Sequence, residues 1–208
     1  MTEIVELDGK RYVWTGSRWY GEKDFVTPPL GVRHRLQALR PDTTPWIRAD
    51  EHGVVHVPRS LRERWPDPLA AEWLEKYPQV FDADDYRCTR KQHHKHFWEW
   101  CAAVHVFERD GACSLVEKYD CQNHPVKRER LAAVLSASQI AFVDSVYYDH
   151  RTQVPDLFCY VPETGRFWFA EVKGPDDVLR ANQAAGHEAI RHELGVPVEV
   201  IQLGLVDD

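Results

Sequence analysis

Three residues stand out by type and spacing: Asp156 in Val154-Pro155-Asp156-Leu157, and Glu171 and Lys173 in Ala170-Glu171-Val172-Lys173-Gly174-Pro175. Glu171 follows Asp156 by 15 positions, the length of two adjacent strands joined by a turn at Pro162 to Gly165, so the two carboxylates are expected side by side. Glu171 and Lys173 lie two apart on one strand and share a face, continuing the row Phe167, Phe169. Hard oxygen donors of this kind suit Mg²⁺ or Mn²⁺ better than Zn²⁺. A divalent ion beside an ammonium binds a phosphate, activates water and neutralises the charge that develops as a phosphodiester is cleaved. A Glu-x-Lys pair on a strand is usually a solvated ion pair. Here it closes a run of Phe, Trp, Phe and Ala, where charges are costly unless paired or metal-bound, and Gly-Pro-Asp-Asp and a helix bearing Gln183 follow it.

An α/β frame must hold these groups. The pattern predicts a strand at Ala112 to Tyr119, a helix at Val126 to Ala137, and strands at Ile140 to Tyr148, Val154 to Val161 and Arg166 to Val172. A helix over Val178 to Leu194 follows, with an N-cap in Pro175-Asp176-Asp177 and Gly195 as its left-handed stop, then a last strand at Val198 to Leu203. Upstream, Leu69 to Tyr77 and Gln92 to Arg109 read as helices, the second ended by Asp110-Gly111. The first 30 residues read as a small aromatic meander around Trp14, Trp19 and Tyr20, with a short basic helix at Gly31 to Arg40. Five prolines between Pro41 and Pro68 preclude a long regular element there. The expected organisation is thus residues 1–40 as meander plus basic helix, 41–84 as a proline-rich connection with a short helix, and 85–208 as the core.

The run Pro155-Asp156-Leu157, then Glu171-Val172-Lys173-Gly174-Pro175-Asp176, then Leu179, Gln183, Gly195 and Val198-Glu199-Val200, resembles the VRR-NUC branch of the PD-(D/E)XK nucleases. The resemblance covers about the last 60 residues of the chain. It implies a restriction-endonuclease-like core, a mixed central sheet flanked by helices, and a Mg²⁺- or Mn²⁺-dependent DNA nuclease, often selective for flapped or branched DNA. It also implies metal ligation by Asp156, Glu171 and the carbonyl of Val172, a catalytic ammonium at Lys173, and Gln183 lining the site. One departure is visible: the aromatic that often follows the helix glutamine by three is here Gly186. Such nucleases usually bring a further acid from a helix before the first core strand. Glu129, on the helix just before the strand expected at Ile140, is preferred; Glu99 competes if the intervening residues are an insertion.

Composition bounds the rest. Five cysteines without a C-x-x-C pair, no apolar run near the roughly 20 residues of a membrane span, and an N-terminus lacking signal-peptide features lead us to expect a reduced, cytoplasmic protein with no membrane partner. A net charge of −7 argues against non-specific coating of nucleic acid, so DNA contact must come from local clusters. These are Arg33, His34, Arg35 and Arg40; Arg87, Arg90, Lys91 and Lys95; and Lys127, Arg128 and Arg130, the last set favoured because it shares the helix of Glu129. His93, His94 and His96, with Cys88, Cys101, Cys121 and His124, lack a convincing zinc spacing. The rival readings are a degenerate nuclease fold that binds DNA without cutting it, and a scaffold docking a protein partner through the N-terminal meander. A homodimer is left open.

Overall fold

A computed structural model of the chain describes residues 3–14, 19–23, 28, 32, 36, 48–49, 53–116, 119, 124–149 and 151–207. The chain divides into two compact units, residues 1–46 and 47–208. The first contains an antiparallel meander of β1 (Glu3–Leu7), β2 (Lys10–Trp14) and β3 (Trp19–Gly21). Asp8 and Gly9 both adopt positive φ in the turn that brings Leu7 opposite Lys10, as the Asp-Gly pair predicts. The side chains of Trp14, Trp19 and Tyr20, and the basic residues Arg33, His34, Arg35 and Arg40, lie outside the described residues.

The second unit is built on a six-stranded mixed sheet of order β4-β5-β9-β8-β7-β6. These strands are β4 (Arg48–Ala49), β5 (Val55–Pro58), β6 (Cys113–Val116), β7 (Leu157–Tyr160), β8 (Phe167–Lys173) and β9 (Val198–Val206). β6, β7 and β8 pair antiparallel, whereas β8, β9 and β5 run parallel. The proline-rich stretch, expected as a connection, supplies β5 to this sheet and two short helices, α1 (Arg59–Glu63) and α2 (Leu69–Lys76). Then come α3 (Ala83–Lys91), α4 (Phe97–Asp110), α5 (Pro125–Ala132), α6 (Ala137–Tyr148) and α7 (Ala181–Leu194). The expected sheet flanked by helices is what the chain forms.

One predicted strand is corrected. Residues Ile140 to Tyr148 belong to helix α6, opened by a capping box in which Ser136 and Gln139 satisfy each other's backbone N–H. Val143 and Val146, one turn apart, face a core formed with Leu131, Phe158, Phe169 and Ile190. Tertiary packing on one helical face outweighs the β preference of Ile140, Phe142 and Val143. The strand beside β7 is therefore β6, with Leu115 opposite Phe158 and Phe158 opposite Phe169. Since β6 directly follows α4, α4 is the helix before the first strand of the antiparallel run β6-β7-β8, which within residues 85–208 is the first core strand.

A second cluster is aromatic. Trp65, Trp73, Phe81, Phe97 and Trp100 interlock, with the Phe81 and Trp100 rings stacked at 3.8 Å between centroids. This accounts for several of the eight tryptophans: they join α2 and the following turn to α4 rather than offering a stacking surface. α4 ends where predicted, at Gly111 with φ 70°.

Candidate active site

Asp156 stands one residue before β7. The register that sets Leu157 opposite Ala170 carries Asp156 opposite Glu171, as the 15-residue spacing predicts. Asp156 Oδ2 accepts the Val172 N–H at 2.8 Å, so the aspartate is fixed to the neighbouring strand's backbone. Glu171 and Lys173 are both buried. Glu171 Oε1 receives Lys173 Nζ at 2.8 Å and the Gln183 side-chain amide, and Oε2 faces His187 Nε2 at 3.3 Å. Lys173 Nζ also donates to Gln183 Oε1 at 2.9 Å and reaches Asp177 Oδ2 at 3.4 Å.

The parallel β8-α7-β9 crossover makes this convergence possible, because it lays the first turns of α7 against the end of β8. α7 begins at Ala181, three residues later than predicted, and Asp177 does not cap it. Gln183 and His187, four apart, occupy its buried face. His187 was missed in the sequence; its spacing from Gln183 was the available signal. Also unforeseen is Gln202 of β9, whose amide donates to Gly174 O at 2.6 Å and holds the chain as it leaves β8. Gly186, the departure noted above, is required by close approach: a Cβ there would fall 2.1 Å from the Gln153 carbonyl oxygen. The backbone before β7 fills the space beside the helix.

The electrostatics are those of crowded acids. Burial, then the charges of Glu171 and Glu99, push Asp156 up to about 8, against the opposing Val172 hydrogen bond and Lys173 charge. Burial works against Glu171 ionising too, but hydrogen bonds from His187 and Lys173 hold it below the ordinary glutamate range. Glu99 is thus in the field of Asp156, on the first turn of α4; its neighbour Trp98 lies against Gly174, where a Cβ would come 2.9 Å from the indole nitrogen. Glu129 is exposed on α5. The topological ground for preferring it, a strand at Ile140, is gone.

The family model of the VRR-NUC domain matches residues 83–203, more than half of the chain. The chain belongs to the VRR-NUC family. Neither the comparison with curated proteins nor that with solved structures gave a match. VRR-NUC domains have the PD-(D/E)XK fold and a nuclease-type function in DNA processing, and nuclease domains of that fold generally use divalent metals. This VRR-NUC chain contains no helix among its described residues long and apolar enough to cross a membrane.

The donor set can be tested against such an ion. Among the described residues no three His, Cys, Asp or Glu side chains form a ready-made metal cluster. Asp156, however, spends one lone pair on the Val172 N–H, and among the described residues Glu171 Oε2 meets only His187. A carboxylate has about four lone-pair sites, so both retain acceptor capacity. An aspartate raised by burial and by the neighbouring charges of Glu171 and Glu99 is in the electrostatic condition that a cation relieves. Two carboxylates and a backbone carbonyl suit Mg²⁺ or Mn²⁺, which keep several waters.

The basic residues are rearranged relative to expectation. Lys127 is buried, and its ammonium donates to Asp85 and to the Val116 carbonyl at the sheet edge, which corrects its expected role in DNA contact. Arg128 is held by Asp144 through bonds of 2.6 and 2.9 Å, and Arg130 is half-buried. Arg87 pairs with Asp84 and Arg90 with Asp67, whereas Lys91 and Lys95 are exposed in the stretch that leads into α4.

Proposed function

We propose that this VRR-NUC chain is a Mg²⁺- or Mn²⁺-dependent deoxyribonuclease that hydrolyses phosphodiester bonds, with a preference for flapped or branched DNA. The observation that carries the reading is Asp156 set opposite Glu171, which is bonded to the buried Lys173, with the charge of Glu99 acting on Asp156. Asp156, Glu171 and the Val172 carbonyl would hold the ion, which supplies Lewis acidity at the phosphate and a more acidic water. Glu99, on the helix before the first core strand, adds the further acid, in place of Glu129.

Hydrolysis forms a bond from water oxygen to phosphorus, breaks a phosphorus–oxygen bond to the sugar, and builds negative charge on the phosphoryl oxygens in between. Lys173 meets that charge. Its ammonium is held by Glu171 and Gln183, so it needs no reorganisation as the charge develops. Gln183 donates to Glu171 and accepts from Lys173, which fixes the orientation of both. His187 secures the second oxygen of Glu171. Exposed Lys91 and Lys95 supply local charge for the DNA backbone in a chain that repels it overall.

The test is incubation of the purified protein with linear, flapped and four-way DNA in Mg²⁺, Mn²⁺ or EDTA. Cleavage with either metal and none in EDTA is the expected result. DNA binding without cleavage under every condition would instead identify a nuclease fold that only recognises DNA.

A further inference from the structure

We propose that Arg180 is a substrate-binding residue whose guanidinium grips a DNA phosphate beside Lys173. The inference rests on the reading of the site as a nuclease centre. Arg180 is exposed, one residue before α7, and its side chain meets two neutral amide oxygens: Gln183 Oε1 from Nε at 3.3 Å and Gln153 Oε1 from Nη2 at 3.3 Å. No carboxylate among the described residues pairs with it. Five other arginines of this acidic chain are neutralised by carboxylates, Arg64 by Glu72, Arg87 by Asp84, Arg109 by Glu199, Arg128 by Asp144 and Arg151 by Asp149, whereas Arg166 lies over the Trp168 ring and Arg191 donates to the Val198 carbonyl. Two acids of the site are already engaged, Asp177 by Lys173 and Glu171 by Lys173, Gln183 and His187.

Position and geometry define what the free charge meets. Gln183 Oε1 accepts both Lys173 Nζ, at 2.9 Å, and Arg180 Nε, so a single shared oxygen separates the guanidinium from the buried ammonium. That oxygen also accepts the Arg180 backbone N–H at 3.1 Å and is therefore satisfied without the arginine side chain. The two amide contacts fix the plane of the guanidinium and leave both protons of Nη1 and one of Nη2 directed elsewhere. A planar fork of this kind matches two oxygens of one phosphate, and a phosphate is the anion that a nuclease site must hold.

The test uses the full chain in an Asp156→Asn background, so that DNA stays intact, and measures affinity for labelled duplex DNA over a range of salt. Arg180→Ala is expected to weaken binding roughly tenfold or more and to flatten the slope of log affinity against log salt by up to about 0.9, the share of one phosphate. Arg180→Lys should keep the slope while losing part of the affinity, since a lysine keeps the charge and lacks the fork. Neutral methylphosphonates placed at each position in turn should reveal one phosphate whose neutralisation weakens binding only when Arg180 is present. An unchanged affinity and slope in Arg180→Ala, or slower cleavage in the otherwise wild-type chain with an unchanged slope, would overturn the proposal and leave the nuclease reading intact. Binding that shows the Arg180 effect, in a wild-type chain that never cleaves, would refute the nuclease reading instead.

Discussion

Replacement of Lys127 by Met should destabilise the protein by about 3 to 5 kcal/mol, a cost typical of leaving one member of a buried ion pair alone. Asp85 and Lys127 are both buried and bonded to each other, and burial pushes Asp85 up to about 7 even with the Lys127 charge to oppose it. Without the ammonium Asp85 must stay protonated or lie charged in the core, and the Val116 carbonyl loses its donor. The pH dependence follows from linkage. A carboxyl raised in the folded state binds more protons there than in the unfolded chain, so stability falls as pH rises from the unfolded value, near 3.9, to the folded one. For the wild type that decline ends near pH 7, after a loss on the order of 4 kcal/mol at 1.36 kcal/mol per unit. In Lys127→Met the folded pKa is higher still, so the decline continues above pH 7 and the deficit against wild type widens. Urea denaturation followed by tryptophan fluorescence at pH 6 and pH 8.5 measures both, and Asp85→Asn in the Lys127→Met chain should recover much of the loss. A Lys127→Met protein as stable as wild type at pH 8.5, or a deficit independent of pH, would refute the reasoning. Weakened DNA affinity with unchanged stability would return Lys127 to the DNA path.

Glu99→Gln should slow DNA cleavage far more than Glu129→Gln, and equal effects in single-turnover assays would remove Glu99 from the site. Lys173→Ala should lose about 2 to 4 kcal/mol of transition-state stabilisation, as for a single charge-stabilising donor, while Mn²⁺ binding measured by calorimetry is retained. Complete loss of Mn²⁺ binding in Lys173→Ala would make the lysine a structural support of the metal ligands. Gly186→Val should fold poorly, because its Cβ would collide with the backbone at Gln153, and an unchanged thermal midpoint would show that α7 can move away.

The site was legible where it is linear. Asp156, Glu171, Lys173 and Gln183 sit in one short stretch whose strand alternation and helical spacing translate directly into proximity. What escaped was long-range or compositional. Residues 140–148 are rich in β-branched and aromatic side chains and read as a strand, although Ser136 and Gln139 carried the cap of a helix. That one misreading shifted the first core helix and, with it, the choice between Glu99 and Glu129. The burial of Lys127 depends on Asp85, 42 positions away, and no local pattern announces such a pairing. Helix α3 was likewise missed, although Asp82 caps it through the N–H groups of Asp84 and Asp85. His187 passed unnoticed because its partner is Glu171 on another element, and only the four-residue step from Gln183 marks it.

Single-turnover cleavage of DNA in Mg²⁺ by wild type and by Asp156→Asn, with the affinity of each for the same DNA measured in EDTA, tests the central claim most directly. The wild type should cleave, and Asp156→Asn should bind the DNA comparably yet leave it intact, because the amide removes a charged oxygen donor from the site without removing side-chain volume. Cleavage by Asp156→Asn at the wild-type rate would contradict the assignment of this acidic cluster as the catalytic centre.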